Sequence, residues 1–245
     1  MRALVLRTSA LGDVVLTTPF LRSLAAHLGG PVEVVTSPPF APLLEGLPFV
    51  SKVWRWERDQ GVGSLARSLA EGGPFDLVVD LQNKARTLAL LLRLSAKQKF
   101  RLVKRKGLRG AIGSLFGGGP ILHDKAAAAL YFEAVEPLGL APDDLRPQVA
   151  LHEDAVAAAA KVAARANGAP IVGLAPGARW ALKRWPPGRF AEVGAALQAE
   201  GAEILLVGGP QDRAEIDRVL AHLARPALGD TAALGLSALA ALLAP

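Results

Sequence analysis

The sequence contains no cysteine. Disulfides, thiolate metal sites and a cysteine nucleophile are excluded in one step. Histidine is nearly as scarce: His27, His123, His152 and His222 stand far apart, which argues against a histidine-rich metal site. Aromatic residues make up 5% of the chain and no stacking motif of the RNA-binding kind is present, so nucleic acid is not an expected partner. No apolar run approaches the roughly 18 residues of a membrane span. The stretch from Leu88 to Leu92 is closed at once by Arg93. The N-terminus, MRALVLRTSALGD, lacks the apolar segment and cleavage site of a secretory signal. These absences together predict a cytoplasmic protein.

What is present is an ordinary globular composition, 51% apolar and 20% charged. At roughly 150 residues per domain, 245 residues are about one and a half domains. The net charge of +6 is unevenly spread. Residues 1–120 hold 17 Lys/Arg against 8 Asp/Glu, and residues 121–245 hold 11 against 14, so the halves carry +9 and −3. Such asymmetry predicts that the first half meets an anionic partner.

Short apolar runs alternate with amphipathic stretches. Arg2–Arg7 (RALVLR) reads as a first buried strand, and Val14–Leu28 as a helix with Leu16, Phe20, Leu21, Leu24 and Leu28 on one stripe. Further strands are predicted at Val32–Thr36, Lys52–Trp56, Asp76–Leu81 and Lys99–Val103, and helices at Ser64–Glu71, Ala85–Leu94, Ala126–Leu138 and Ala155–Ala166. The pattern then restarts with strands at Ile171–Leu174 and Glu203–Val207. Helices follow at Pro187–Glu200, Gln211–Leu223 and Ser237–Leu243. Strand–helix alternation with apolar strands predicts parallel sheets covered on both faces. The restart predicts two units, residues 1–165 and 166–245.

Four segments offer chemistry. After the first strand, Thr8-Ser9-Ala10-Leu11-Gly12-Asp13 leads into a helix, the position where parallel folds bind ligands. Neither a G-x-G-x-x-G fingerprint nor a G-K-S/T phosphate loop is present there. The segment offers a carboxylate, Asp13, read either as a functional group or as a helix cap stabilised by the dipole. In the second unit, Pro176-Gly177 leads to Lys183 and Arg184 just before Pro186-Pro187 opens a helix. A helix start already favours an anion, so this is a phosphate site or a solvated basic loop. The turn Gly208-Gly209-Pro210-Gln211-Asp212 allows close backbone approach, or is simply a tight turn with Asp212 as a first-turn acid. Finally, Lys97–Arg109 (KQKFRLVKRKGLR) carries seven Lys/Arg and no acid. It suits a solvated face, a phosphorylated or carboxylated substrate, or a membrane surface.

RALVLRTSALGDVVLTTPFLRSL resembles the opening of the ADP-heptose:lipopolysaccharide heptosyltransferases, glycosyltransferase family 9. DLVVDLQNKARTLAL, GLAPGARWALKRWPPGRFAEVGAAL and EILLVGGPQDRAEI resemble later blocks of that family, in its order and spacing. The resemblance implies a GT-B architecture: an α/β fold with two Rossmann-like parallel-sheet domains facing across a cleft. Residues 1–165 would receive the acceptor, the anionic lipopolysaccharide inner core. Residues 166–245 would hold ADP-heptose, and the reaction would invert the anomeric centre without a metal or other cofactor. Work on such an acceptor implies peripheral contact with the cytosolic face of the inner membrane.

By the same resemblance, the acid of the family's L-G-D motif falls on Asp13 as general base, and the donor-phosphate lysine falls on Lys183. Gly12, Thr17, Thr18, Gln82 and Arg86 fall on the acceptor side, with Lys104 and Arg105 from the basic run. Pro176, Gly177, Arg184, Gly208, Gly209, Gln211 and Asp212 fall on the donor side. One block is missing: the family's D/N-S/T-G-x-x-H donor motif has no counterpart before Pro245. Residues 166–245 number 80, against roughly 100–150 for a common domain. The donor domain is therefore expected to be incomplete, either because the natural chain continues or because the protein is a non-catalytic remnant that binds an anionic acceptor or membrane surface through its basic half.

Overall fold

The computed structural model of the chain describes residues 1–102, 126–178, 180–232 and 234–244. The chain divides into two compact units, Met1–Ala150 and Leu151–Pro245.

In the first unit, β1 (Ala3–Leu6), β2 (Val32–Thr36), β3 (Val50–Arg55), β4 (Phe75–Asp80) and β5 (Ala96–Arg101) form a five-stranded sheet. Its order is β3-β2-β1-β4-β5 and every pairing is parallel. The β1 residues are apolar without alternation because both faces are covered. Ala3 and Val5 pack in one cluster with Phe20, Leu21, Leu24 and Val135, while Leu4 and Leu6 pack in the other with Leu65, Leu69, Leu90 and Leu91. Each fully buried Leu or Phe contributes about 1.5–3 kcal/mol. Helix α1 (Leu11–Leu28) and a 3-10 stretch (Ala129–Leu138) supply the first face; α2 (Val62–Ala70) and α3 (Ala85–Arg93) supply the second.

Helix α1 starts three residues before the expected Val14, because Asp13 serves its first turn. It ends at Gly29, whose φ of 70° suits a left-handed cap, with Gly30 N–H donating to the Ala25 carbonyl at 3.0 Å. Pro19 lies inside it and has no N–H for the Val15 carbonyl. The Thr18 hydroxyl donates to that carbonyl instead, at 2.8 Å. The segment expected to be an α-helix over 126–138 is a 3-10 stretch from Ala129, with a non-helical Val135. Pro137 accounts for this, since its ring opposes α geometry in the turn before it.

In the second unit, β6 (Ile171–Leu174), β7 (Glu203–Leu206) and β8 (Gly229–Asp230) form a parallel sheet in that order. Helices α4 (Glu153–Ala164), α5 (Pro187–Ala199), α6 (Arg213–Leu220) and α7 (Gly235–Leu243) accompany it. Leu174, Ala191, Ile204, Leu206, Ile216 and Val219 are its core. Helix α4 packs against α7, which assigns it to this unit, so the division falls at Ala150/Leu151 rather than at 165/166. The helix expected over 211–223 begins as a 3-10 turn at Pro210–Asp212, then runs as α6. Among the described residues, no helix is long and apolar enough to cross a membrane.

Candidate functional site

The order of the first sheet reverses direction at β1, which runs between β2 on one side and β4 on the other. Open parallel sheets bind ligands at such a switch point, beyond the carboxyl ends of the strands. The segments leaving β1 and β4 meet there. Gln82 Oε1 accepts from the Thr8 and Ser9 N–H groups, both at 3.0 Å, and Gln82 Nε2 donates to Ser9 Oγ at 3.1 Å. Gln82 is therefore the brace of the loop before α1. Gln82 is held in turn by Asp80, whose Oδ1 accepts from the Gln82 N–H at 2.9 Å.

Asp13 sits in the first turn of α1. Its Oδ2 accepts from the Ala10 N–H at 3.2 Å, the acid half of a capping box, and pairs with Arg7 Nη2 at 2.7 Å. The helix-cap role is thus present, and the capping carboxylate also carries an ion pair. The Arg7 side chain is 6% exposed and that of Asp13 47% exposed. Arg7 Nη1 donates to the Leu81 carbonyl, and its Nε is buried without a partner among the described residues. The Tyr131 hydroxyl donates to Asp13 Oδ1 at 3.2 Å. Burial acts to raise the Asp13 carboxyl, but the Ala10 N–H, the Arg7 charge and the Arg7 and Tyr131 hydrogen bonds outweigh it and hold it below the usual carboxylate value. Arg7 and Tyr131 carry no signal in the sequence: a cation at a strand end reads as solvated, and Tyr131 lies 118 positions from its partner.

This sets the sign of a pH effect. A depressed folded value stabilises the fold above the unfolded value, near 3.8, and that contribution is lost as pH falls through the folded value. Asp13→Asn is therefore expected to lower the urea midpoint at pH 7, and the difference from wild type should shrink as pH drops below 3.8. A constant difference across that range would contradict the assignment.

The other positions expected on the acceptor side divide. Gly12 is exposed beside Asp13, and a Cβ there would meet nothing within 4 Å. Thr17 and Thr18 are buried at 1% and 0%. Thr17 donates to the Asp13 carbonyl at 2.7 Å, and Thr18 accepts from the Gln148 N–H at 2.8 Å, so both lie behind the carboxylate as structural groups. Arg86 donates to the Glu57 and Gln60 carbonyls at 2.7 and 2.6 Å and stacks over Trp56. It is thereby committed to tethering the segment after β3. Lys104 and Arg105 lie outside the described residues. Of the described part of the basic run, Lys97 pairs with Asp76 at 2.6 Å and Arg101 with Asp80 at 3.2 Å.

In the second unit, the segments after β6 and β7 are in contact. A Cβ on Gly177 would overlap the Asp212 carboxylate, and one on Gly208 would lie 3.0 Å from the Asp212 Cβ. Asp212 Oδ2 accepts from the Gly209 N–H at 2.9 Å and from Gln211 Nε2 at 3.2 Å, so it closes its own turn. Thr231, just past β8, brackets Gly208 by accepting from its N–H and donating to its carbonyl, both at 3.0 Å. Arg184 donates to the Ala178 carbonyl at 2.7 Å and pairs with Glu215 at 3.0 Å, which pins the loop to α6. Pro176 is buried. Lys183 is exposed and its ammonium has no partner among the described residues, flanked by the exposed Leu182 and Trp185. Of the loop's cations, Lys183 is thus the one available to an external anion among the described residues. No three His, Asp or Glu side chains among the described residues are grouped to hold a metal.

The model of glycosyltransferase family 9 (heptosyltransferase) matches residues 62–245. No curated protein sequence matches the chain. Solved structures share its fold, among them three glycosyltransferases. The glycosyl transferase family 9 protein of Veillonella parvula superposes with a TM-score of 0.80 at 21% identity, over 98% of this chain and 72% of that one. ADP-heptose LPS heptosyltransferase II of E. coli gives 0.76 at 22% identity, over 99% and 76%. E. coli heptosyltransferase WaaC with ADP gives 0.68 at 23% identity, over 99% and 78%. The Rossmann-like sheets, the strand-end loops and the family match agree: this α/β chain of GT-B type belongs to glycosyltransferase family 9, the heptosyltransferases.

Proposed function

We propose that the protein is an inverting glycosyltransferase that moves heptose from ADP-heptose to the lipopolysaccharide inner core, with Asp13 as general base. The observation that carries this reading is the half-exposed Asp13 carboxylate, kept ionised by the buried Arg7 at the switch point of the first sheet. An inverting transfer needs one base. It takes the acceptor hydroxyl's proton while that oxygen attacks the anomeric carbon from the face opposite the leaving diphosphate. Charge then builds on ADP, and Lys183 offsets it electrostatically. The donor class is supported by E. coli WaaC, solved with ADP and with ADP-2-deoxy-2-fluoro heptose.

In this reading Met1–Ala150 takes the acceptor and Leu151–Pro245 takes the donor. The net +9 of residues 1–120 suits an anionic lipid-linked acceptor and peripheral contact at the cytosolic face of the inner membrane. The test is ADP release by the 245-residue chain given ADP-heptose and a Kdo-bearing lipid acceptor. Release that requires both substrates supports transfer. Acceptor binding without ADP binding supports a non-catalytic acceptor-binding protein instead. Lys183→Ala is expected to lower kcat/KM for ADP-heptose by about 10- to 100-fold, the loss of one charge-assisted contact. An unchanged kcat/KM removes Lys183 from the donor site.

A further inference from the structure

The two oxygens of Asp13 are not equivalent. Oδ2 receives the Arg7 guanidinium at 2.7 Å and the Ala10 N–H at 3.2 Å. Oδ1 receives a neutral phenol, Tyr131, at 3.2 Å. An oxygen bonded to a cation and a backbone N–H has the lower proton affinity, so the arriving proton belongs on Oδ1. Tyr131 is 4% exposed, packed in the core on that side of the sheet, with Arg7 5.1 Å from its ring centroid. Its hydroxyl also lies 3.4 Å from the Asp13 main-chain carbonyl, a second acceptor.

We propose that Tyr131 is a positioning residue for Asp13: its hydroxyl aims Oδ1 as the proton-accepting oxygen and follows the carboxyl through both protonation states. The inference rests on the reading of Asp13 as the base. While Asp13 is ionised, the phenol donates to Oδ1. As the acceptor's O–H bond breaks, its electron pair goes to the new bond at the anomeric carbon, the anomeric C–O bond to the diphosphate breaks with its pair leaving on ADP, and the proton forms Oδ1–H. A phenol both donates and accepts. It then turns its own proton to the Asp13 carbonyl and accepts from Oδ1–H, so the carboxyl keeps its orientation. Tyr131 itself stays protonated throughout. Burial pushes its phenol up to about 12, with the Asp13 charge and hydrogen bond adding to this while Arg7 and Thr17 oppose it.

Tyr131 is the sole tyrosine of the chain, so phenolate absorbance reports it alone. The absorbance is read within milliseconds of a jump to alkaline pH, before the protein unfolds. Wild type should ionise well above the ordinary phenol value of about 10, and Asp13→Asn should ionise about 3- to 10-fold more readily. Asp13 is half exposed, so this variant is expected to fold. The reciprocal measurement is the 13C carboxyl titration of Asp13, which should show an about threefold higher proton affinity in Tyr131→Phe. The acid limb of kcat/KM should move with it, a displacement that loss of packing alone does not produce. Midpoints that ignore each other in the two variants overturn the inference, even if Asp13→Asn abolishes transfer. Coupled midpoints with full transfer in Asp13→Asn overturn the reading of Asp13 as base, and this inference with it.

Discussion

Asp13→Asn is expected to lower transfer from ADP-heptose by about 10²–10⁴-fold, the contribution of a positioned general base. The substitution is close to isosteric. An amide oxygen at the Oδ2 position still accepts from the Ala10 N–H, so the start of α1 is retained. What disappears is the ability to take a proton at Oδ1. ADP affinity should change by less than about twofold, since every residue proposed for the donor belongs to Leu151–Pro245. Turnover is followed as ADP release with saturating acceptor, and affinity by calorimetry with ADP alone. A variant that keeps turnover within a few-fold of wild type excludes Asp13 as the base. One that loses ADP binding in parallel shows that the substitution acts on the donor.

The alternation of strands and helices was legible because β1, β2 and β4 are buried on both faces and read as short, mostly apolar runs. Strand β8 was not, because Gly229 and Asp230 have no apolar signature. Their place comes from backbone bonds on either side, Leu228 N–H to the Ile204 carbonyl at 2.7 Å and Thr231 N–H to the Leu206 carbonyl at 2.9 Å. The same distinction holds at the site. Position offered Asp13 as a functional group or a helix cap, because the loop after a first parallel strand is where such folds bind, and the family resemblance made it the base. What tunes Asp13 is tertiary. Arg7 turns inward under Tyr131, and Tyr131 arrives from a segment joined to the sheet through residues 103–125. Gln82 and Arg86 were read as facing an acceptor because the family resemblance places them in a block on that side. Their hydrogen bonds go to Thr8, Ser9, Glu57 and Gln60, which makes them braces of the loops around the carboxylate.

The brace has a keystone, and its removal is expected to produce the largest stability loss in the first unit. Asp80 ends β4 with 0% exposure. Its Oδ1 accepts from the Gln82 and Asn83 N–H groups at 2.9 and 3.1 Å, and its Oδ2 from Thr87 Oγ1 at 3.0 Å and Arg101 Nε at 3.2 Å. Asn83 is held in the left-handed region at φ 53°. Asp80→Ala leaves two inward N–H donors and the Arg101 Nε–H without their acceptor, and leaves the Thr87 hydroxyl only the Lys84 carbonyl at 3.0 Å. The charge left behind, Arg101, is 28% exposed, so the cost comes mainly from the inward donors left unpaired, at about 1–3 kcal/mol each. Asp80→Asn keeps the shape, but its amide presents a donor where Thr87 and Arg101 already donate, so it should cost about 1–3 kcal/mol. Urea midpoints at constant slope separate the two. A loss below about 1 kcal/mol for Asp80→Ala would show that water replaces the carboxylate's contacts. The consequence reaches the chemistry through Gln82. With its N–H released, Gln82 no longer fixes Thr8 and Ser9, and the start of α1 that carries Asp13 loses its register against β1. Activity of folded Asp80→Ala should therefore fall further than its stability predicts, whereas Arg86→Ala, which touches only Trp56 and the Glu57–Gln60 segment, should leave kcat close to wild type.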